Sequence, residues 1–545
     1  MIYFASFLSA MFVTMALIPP LMRSAEWLQF VDVPDERKVH TRPIPRIGGL
    51  AMAVGAVLPV ALWLAASRAV SAYLWGTAII LAFGVWDDRK NLDYRVKFLG
   101  QLIAILIVVV HGGVAIHSVP FMESSRLPAY VSIPLTVFAL LGITNAINLA
   151  DGLDGLAGGT TLLSLMAVAA LAYIVDAYAL MVVALAVMGS ILGFLRFNTY
   201  PARIFMGDGG SQFLGFSTGV LAILLTQRPD TPLSPAIPAM LLGLPILDTL
   251  MVMVLRICDG KSPFSPDKRH IHHQLLALGF DHYEAVFLIY VAQALLVVAA
   301  LFLRDDPDSL IVGTYVGFCA GVLLFFQWAA SARWRARPPG GRPPASFLAR
   351  NGRWPGQRRR LANYAFFFAA FTIPGYFLLA VAQAAPVSAG MGGLAAALGA
   401  VSLFLYPRQR RQPFGAIERA VLYVTCVLVV HLRQTGGDFA HMALYENIYM
   451  AMLAAAIMVG FRFSSEGRFQ VTPLDFLVIF LALAVPNLPA LHGSRIHLGA
   501  AVAKAIVLFY GVELVLNHLW RRWDCLRLVS YVTLLAVVAR WVLSS

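Results

Sequence analysis

Residues 131–159 read VSIPLTVFALLGITNAINLADGLDGLAGG. The twenty residues from Val131 to Ala150 are almost all apolar, and as a helix they are long enough to cross a hydrocarbon core of about 30 Å. The run then ends in Asn145, Asn148, Asp151 and Asp154, one polar group every third residue. Ionisable groups beside a membrane span are costly and are kept for a purpose. The stretch therefore predicts a spanning helix and points to where chemistry is carried out.

Comparable apolar runs recur along the whole chain. Eleven precede residue 331, among them 2–22, 47–66, 98–115, 209–226 and 236–256, and seven follow, including 472–490 and 498–518. The expected fold is an all-α polytopic integral membrane protein of about 18 transmembrane helices. The first run has no basic leader or small-residue cleavage site and reads as a span, not a removed signal. Of 545 residues, 59% are hydrophobic and 13% charged, against a usual charged share of about 25%. That composition excludes a water-soluble globular enzyme, a disordered chain and a disulfide scaffold. Four scattered cysteines, Cys258, Cys319, Cys426 and Cys525, form no metal-ligand spacing.

The net charge of +13 is read as a topology signal and not as a nucleic-acid footprint. Before residue 362, one set of alternate loops holds 24 Lys and Arg residues and the other set holds 4. The positive-inside rule puts the first set in the cytoplasm and the N-terminus outside. Residues 332–361, rich in Arg, Pro and Gly, read as a cytosolic linker between a domain at 1–331 and a membrane extension at 362–545. In the extension, Arg408, Arg410, Arg411, Arg462, Arg468, Arg521, Arg522 and Arg527 fall on predicted inner loops. Arg433, Asp438, His441, Glu446, His492, Arg495 and His497 fall towards the outer side.

The first domain carries four polar motifs, all predicted on the cytosolic side. Asp87-Asp88 with Lys97 sets two repelling carboxylates, able to raise a pKa, near a possible phosphate ligand. Taken alone, such a motif is more often a solvated basic loop on the positive-inside face. Asn145 to Asp154, at three-residue spacing, would share a helix face, and oxygen-only donors suit Mg²⁺. Asn198 to Ser211 places Asp208 in a glycine cluster opening a span, where helix N–H groups favour anions. Lys261 to His273 combines Arg269 with His270, His272 and His273, read as a clamp for phosphates in preference to a zinc site.

In combination, DDRKNLDYRVK, NAINLADGLDGLAGG, FNTYPARIFMGDGGS and SPFSPDKRHIHHQL resemble the bacterial polyprenyl-phosphate N-acetylhexosamine-1-phosphate transferases (glycosyltransferase family 4). The likeness covers residues 1–330. It implies transfer of HexNAc-1-phosphate, GlcNAc by default, from UDP-HexNAc to undecaprenyl phosphate with release of UMP, the first membrane step of cell-surface glycan assembly. It further implies a bacterial cytoplasmic membrane location, an active site facing the cytoplasm, Mg²⁺ (with Mn²⁺ as a substitute) and a homodimer as one arrangement.

Carried over by the resemblance, Asp208 is the main metal ligand, with Asn148 or Asp151 near the metal and donor diphosphate. Asp87 and Asp88 bind or deprotonate the lipid phosphate beside Lys97. Asp154 and Phe205 hold uracil, while Arg269, His272 and His273 clamp the diphosphate. Asn198 and His270 complete the substrate-binding set, and Asp151 joins Asp87 and Asp88 as catalytic. Direct attack by the lipid phosphate and a two-step route through an aspartyl-phosphate both remain open. A transporter or lipid-linked-sugar flippase without group transfer is the rival, although no repeat between the two blocks supports it.

Overall fold

The computed structural model describes residues 2–32, 43–122, 126–228, 231–262, 267, 269–337, 355–383, 387, 389–409, 416–435, 440–463, 498–519 and 525–544. Two compact units emerge, one on Met1–Arg342 and one on Pro343–Val471 with Val478–Ser545. Among the described residues, eleven helices are long and apolar enough to cross a membrane, nine in the first unit and two in the second.

The first unit runs α1 (Ile2–Ser24), β1 (Val31–Asp32), β2 (Ile44–Pro45), α2 (Gly48–Trp63), α3 (Arg68–Lys90) and α4 (Tyr94–Leu106, continued as a π-turn to His111). Then follow α5 (Ala129–Ala150), α6 (Leu156–Ile174), α7 (Tyr178–Asn198), α8 (Gly207–Thr226), α9 (Ile237–Leu241), α10 (Gly243–Cys258), α11 (Ile271–Ala277), α12 (His282–Phe302) and α13 (Asp308–Ser331). Helices α6, α7 and α8 are buried on nearly every side and form the centre. The outer helices turn large apolar side chains outward, among them Phe138, Val110, Phe302 and Leu324. A soluble monomer rarely shows so much apolar surface, whereas acyl chains cover it at no cost. The chain is an all-α polytopic membrane protein.

Small residues let three helices meet backbone to backbone. A Cβ on Gly49 of α2 would stand 2.3 Å from the Gly210 nitrogen of α8, and one on Gly84 of α3 would stand 2.2 Å from the Gly209 Cα. This contact, of the small-residue type that drives helix association in lipid, carries the end of α3 to the start of α8. The β1–β2 ribbon pairs Val31 with Pro45 and Asp32 with Ile44. It extends to the next loop, since the Phe205 N–H donates to the Pro45 carbonyl (2.7 Å) and the Gly48 N–H to the Phe205 carbonyl (2.9 Å).

Two sequence expectations change here. The run at 236–256 is not one helix but α9 and α10, broken at Leu242. Pro245 has no N–H to donate back to the Leu241 carbonyl. That carbonyl accepts instead from Ser164 Oγ (2.6 Å) and Gln293 Nε2 (2.8 Å). The run at 47–66 yields a helix of only 16 residues.

The second unit comprises α14 (Pro355–Ala382), α15 (Ala389–Gln409), α16 (Ala416–Thr435), α17 (Ala440–Phe463), α18 (Leu498–Leu519) and α19 (Cys525–Ser544). Helix α14 begins inside the stretch read as linker, at Pro355, an N-terminal position that tolerates proline. The span expected at 472–490 lies outside the described residues. Within this unit Arg527 makes a buried two-pronged ion pair with Glu418, Nε to Oε1 at 3.0 Å and Nη2 to Oε2 at 2.9 Å.

Candidate active site

Because α3 and α8 touch through glycine, the Asp87-Asp88 motif reaches the Asp208 motif. The N–H groups of Asp208 and Gly209, unpaired within their own helix, donate to Asp88 Oδ1 (2.7 Å) and Oδ2 (3.2 Å). A carboxylate from another helix thus caps α8, where the helix dipole favours negative charge. Gly207 has φ +69°, and a Cβ there would lie 2.4 Å from Asp88 Oδ2. Only glycine fits.

Asp87 is buried, and its Oδ1 accepts the Leu92 N–H (2.8 Å). Its Oδ2 lies 2.5 Å from Lys97 Nζ, which also reaches Asp208 Oδ2 at 2.9 Å. One ammonium therefore bridges carboxylates from two motifs 111 residues apart in sequence.

The Asn145 to Asp154 motif is less regular than its spacing predicts. Helix α5 ends at Ala150 with Asp151 as its C-cap, so Asp154 does not share the helix face of Asn145 and Asn148. Glycines explain the break: Gly155 adopts φ +80°, open to residues without a Cβ. Asn145 pairs with Gln101 (2.8 Å), and Asn148 is half-buried near the same helix end. Asp151 is pushed up to about 7, first by burial, then by the charges of Asp208, Asp154 and Asp88. The carboxylates thus form one acidic field.

The loop from Asn198 to Phe205 is held by residues read as substrate contacts. Asn198 is buried, its Oδ1 accepting the Gly155 N–H (2.9 Å) and its Nδ2 donating to the Ile204 carbonyl (2.9 Å). Asp154 Oδ2 accepts the Ala202 N–H (2.9 Å). Phe205 is half-buried and pinned through its backbone, as above. The ring of Tyr200 stacks on His282, with centroids 4.3 Å apart.

The histidine motif is set by a residue that the motif analysis missed. Asp248, buried in α10, accepts from His270 Nδ1 (2.8 Å) and from the Ile271 N–H (2.6 Å), fixing the start of α11. His272 then packs on the Asp151-Gly152 turn, where a Cβ on Gly152 would fall 2.2 Å from its Nε2. Burial, then the neighbouring His273, lowers His272 to about 4, so it is neutral at physiological pH. The His272 and His273 rings lie 4.2 Å apart. Arg269 forks onto Asp267 (Nε to Oδ1 3.0 Å, Nη2 to Oδ2 2.7 Å) and meets Asp259 at 2.9 Å. That pairing holds the Asp267 carboxyl well below its usual range. An anion taking Arg269 would have to compete with two carboxylates.

Asp248, His282 and Tyr200 were the omissions. Asp248 alone had a readable signal, as the single acid in the apolar run 236–256. Among the described residues, no group of three or more His, Cys, Asp or Glu side chains stands ready to hold a metal. A zinc cage requires such a group, whereas Mg²⁺ takes one or two carboxylates and completes its shell with phosphates and water. The oxygen donors Asn148, Asp151 and Asp208, in a field of excess negative charge, fit the second case.

Residues 70–226, which hold the first three motifs, match the profile of glycosyl transferase family 4. The chain is 39% identical over 302 residues to the probable undecaprenyl-phosphate N-acetylglucosaminyl 1-phosphate transferase of Bacillus subtilis (strain 168), covering 55% of this chain and 84% of that protein. Identity is 33% to the decaprenyl-phosphate N-acetylglucosaminephosphotransferase of Mycolicibacterium smegmatis (52% of this chain, 79% of the relative). It is 30% to the undecaprenyl-phosphate alpha-N-acetylglucosaminyl 1-phosphate transferase of Escherichia coli (strain K12) (50% and 76%). By these matches the chain belongs to glycosyl transferase family 4, among the polyprenyl-phosphate N-acetylhexosamine-1-phosphate transferases.

Proposed function

We propose that the first unit transfers GlcNAc-1-phosphate from UDP-GlcNAc to undecaprenyl phosphate, releasing UMP, on the cytoplasmic side of a bacterial inner membrane. The observation that carries this reading is the Lys97 bridge between Asp87 and Asp208. It assembles one cation and several carboxylates at helix ends, where a soluble nucleotide and a lipid headgroup can both arrive. The 24-to-4 bias of Lys and Arg between alternate loops supports a cytoplasmic site and an outward N-terminus. Seven spans in the second unit, 18 in all, remain the reading of the hydropathy pattern.

The phosphate of a polyprenyl monoester has a second pKa near 6 by analogy with other phosphomonoesters. At neutral pH it is already a nucleophile and requires little help from a base. Both oxygens of Asp88 are occupied by the amides of α8, so its role is to hold Asp208 in place. Asp87 does the same for Lys97, whose ammonium can exchange a carboxylate for the lipid phosphate. We therefore favour direct displacement. A lipid phosphate oxygen forms a bond to the donor β-phosphorus, and the bond from that phosphorus to the bridging oxygen breaks. UMP leaves with the electron pair.

Asp208, with Asn148 or Asp151, would hold Mg²⁺, which when bound offsets the repulsion between two anions and stabilises the leaving phosphate. His272 and His273 would donate hydrogen bonds to the donor diphosphate from positions set by Asp248. Arg269 would join them on leaving Asp267. Incubating the full-length protein with undecaprenyl phosphate, Mg²⁺ and a panel of UDP-sugars, followed by mass spectrometry of the lipid, tests this. The expected product carries an added HexNAc-phosphate with UDP-GlcNAc. An unmodified lipid with every donor would overturn the proposal, and lipid movement without a new product would favour a flippase.

A further inference from the structure

The second unit holds a buried charge cluster whose balance is opposite to that of the acidic site. Glu446 of α17 receives three groups: Tyr376 Oη donates to Oε1 (2.6 Å), Lys504 Nζ lies 3.2 Å from Oε1, and Arg433 Nη2 lies 3.5 Å from Oε2. Arg433 Nη1 also donates to Gln383 Oε1 (2.5 Å). The three charged side chains are only 9–12% exposed. Among the described residues, two cations share one carboxylate in a setting of low dielectric. The buried Nε of Arg433 has no acceptor among the described residues.

The position is equally specific. Arg433 closes α16, while Glu446 and Lys504 lie in the first two turns of α17 and α18. In sequence, the basic segments 408–411 and 521–522 adjoin the other ends of α16 and α18. The cluster is therefore at the membrane-boundary end remote from those segments. Glu418 and Arg527 make a useful contrast, since there one guanidinium meets one carboxylate with two hydrogen bonds.

We infer that Arg433 and Lys504 form a binding site for a phosphate-bearing anion, either a lipid headgroup or free phosphate. An arginine fork beside a lysine point charge matches phosphate oxygens, and Glu446 holds both cations in place until the anion arrives. The site makes no use of the transferase residues and stands or falls apart from them.

The test uses the full chain in phosphatidylcholine nanodiscs, with and without phosphatidylglycerol, and separately with inorganic phosphate in phosphatidylcholine alone. Native mass spectrometry counts retained lipid headgroups, and thermal unfolding reads phosphate binding. Arg433→Gln and Lys504→Gln should each weaken the anion at least about tenfold, the scale of one lost charge-assisted bond. Glu446→Gln, which removes the competing carboxylate, should tighten it several-fold. A response confined to phosphatidylglycerol assigns the site to a headgroup, and one confined to phosphate assigns it to the free anion. Equal anion binding in the wild type and both cation variants would overturn the inference. So would loss of binding in Glu446→Gln, which would mark the cluster as a structural ion triad.

Discussion

Among the described residues, two charge clusters, one partly exposed and one buried, are unbalanced in opposite senses. In the first unit Asp87, Asp88, Asp151 and Asp208 stand against Lys97. In the second, Arg433 and Lys504 stand against Glu446. The second unit also holds the buried ion pair Glu418–Arg527. Burying a charge without compensation is costly, so each imbalance marks where a ligand of opposite sign would be favoured, which is the basis of the two proposals above.

The largest effect expected is at Asp208. Asp208→Asn should lower the rate of UMP release about a thousandfold, near the upper range for losing one group that stabilises charge in a transition state. It removes the ion pair with Lys97, but Lys97 keeps Asp87, so the variant should stay folded with at most a small fall in the thermal midpoint. A variant that is both inactive and unstable would make Asp208 structural and break the comparison.

The Glu418–Arg527 pair should behave the other way. Arg527→Gln leaves Glu418 buried and unpaired, which should cost on the order of 3–5 kcal/mol of stability while leaving turnover per folded molecule unchanged. Replacing both partners with leucine should restore most of the loss. Chemical denaturation in detergent micelles reads both outcomes.

Asp248→Asn tests the support beneath the histidines. Residues that orient a ligating or binding histidine typically contribute about 10–100-fold. The variant should raise KM for the nucleotide donor by that amount with kcat less affected. An equal fall in kcat, with KM unchanged, would mean that α11 is not the donor clamp.

The smallest effect is in pH dependence. Asp151 is raised to about 7 by burial and neighbouring carboxylates, above its value of about 3.9 in an unfolded chain. The folded form binds more protons between those values, so this residue's contribution to stability is present at low pH and is lost as pH rises through 7. Without divalent cation, the thermal midpoint of the wild type relative to Asp151→Asn should therefore fall as pH rises from about 4 to about 7 and level off above. Added Mg²⁺ should flatten that difference. His272, lowered to about 4, acts oppositely by destabilising as pH falls from 6.5 towards 4. The comparison with Asp151→Asn cancels its effect.

Most of the first unit was legible in the sequence because apolar length and loop charge are read residue by residue. The four motifs stood out as well, since acids and amides at the ends of apolar runs are costly there. What the sequence could not supply was contact. The three-residue spacing from Asn145 to Asp154 suggested one helix face, but α5 stops at Ala150 and Gly155, with φ +80°, opens α6. Asn198 and Asp154 read as substrate groups, yet each holds a backbone N–H in a neighbouring loop. Asp88 read as half of a catalytic pair, and the structure uses both its oxygens to cap α8. Asp248 carried a signal, a lone acid in an apolar run, that was outweighed by the richer motifs. The break at Leu242 follows from Pro245 but needs Ser164 and Gln293, far away in sequence, to accommodate it.

On the function proposed above, two phosphate-bearing substrates meet where Lys97 joins Asp87 to Asp208. The most direct measurement is Mg²⁺-dependent UMP release from UDP-GlcNAc by the purified full-length protein, with and without undecaprenyl phosphate. The account predicts release only with the lipid present, at one UMP per lipid consumed, and about a thousandfold slower in Asp208→Asn. Release that ignores the lipid, or that proceeds at the normal rate in Asp208→Asn, would contradict it.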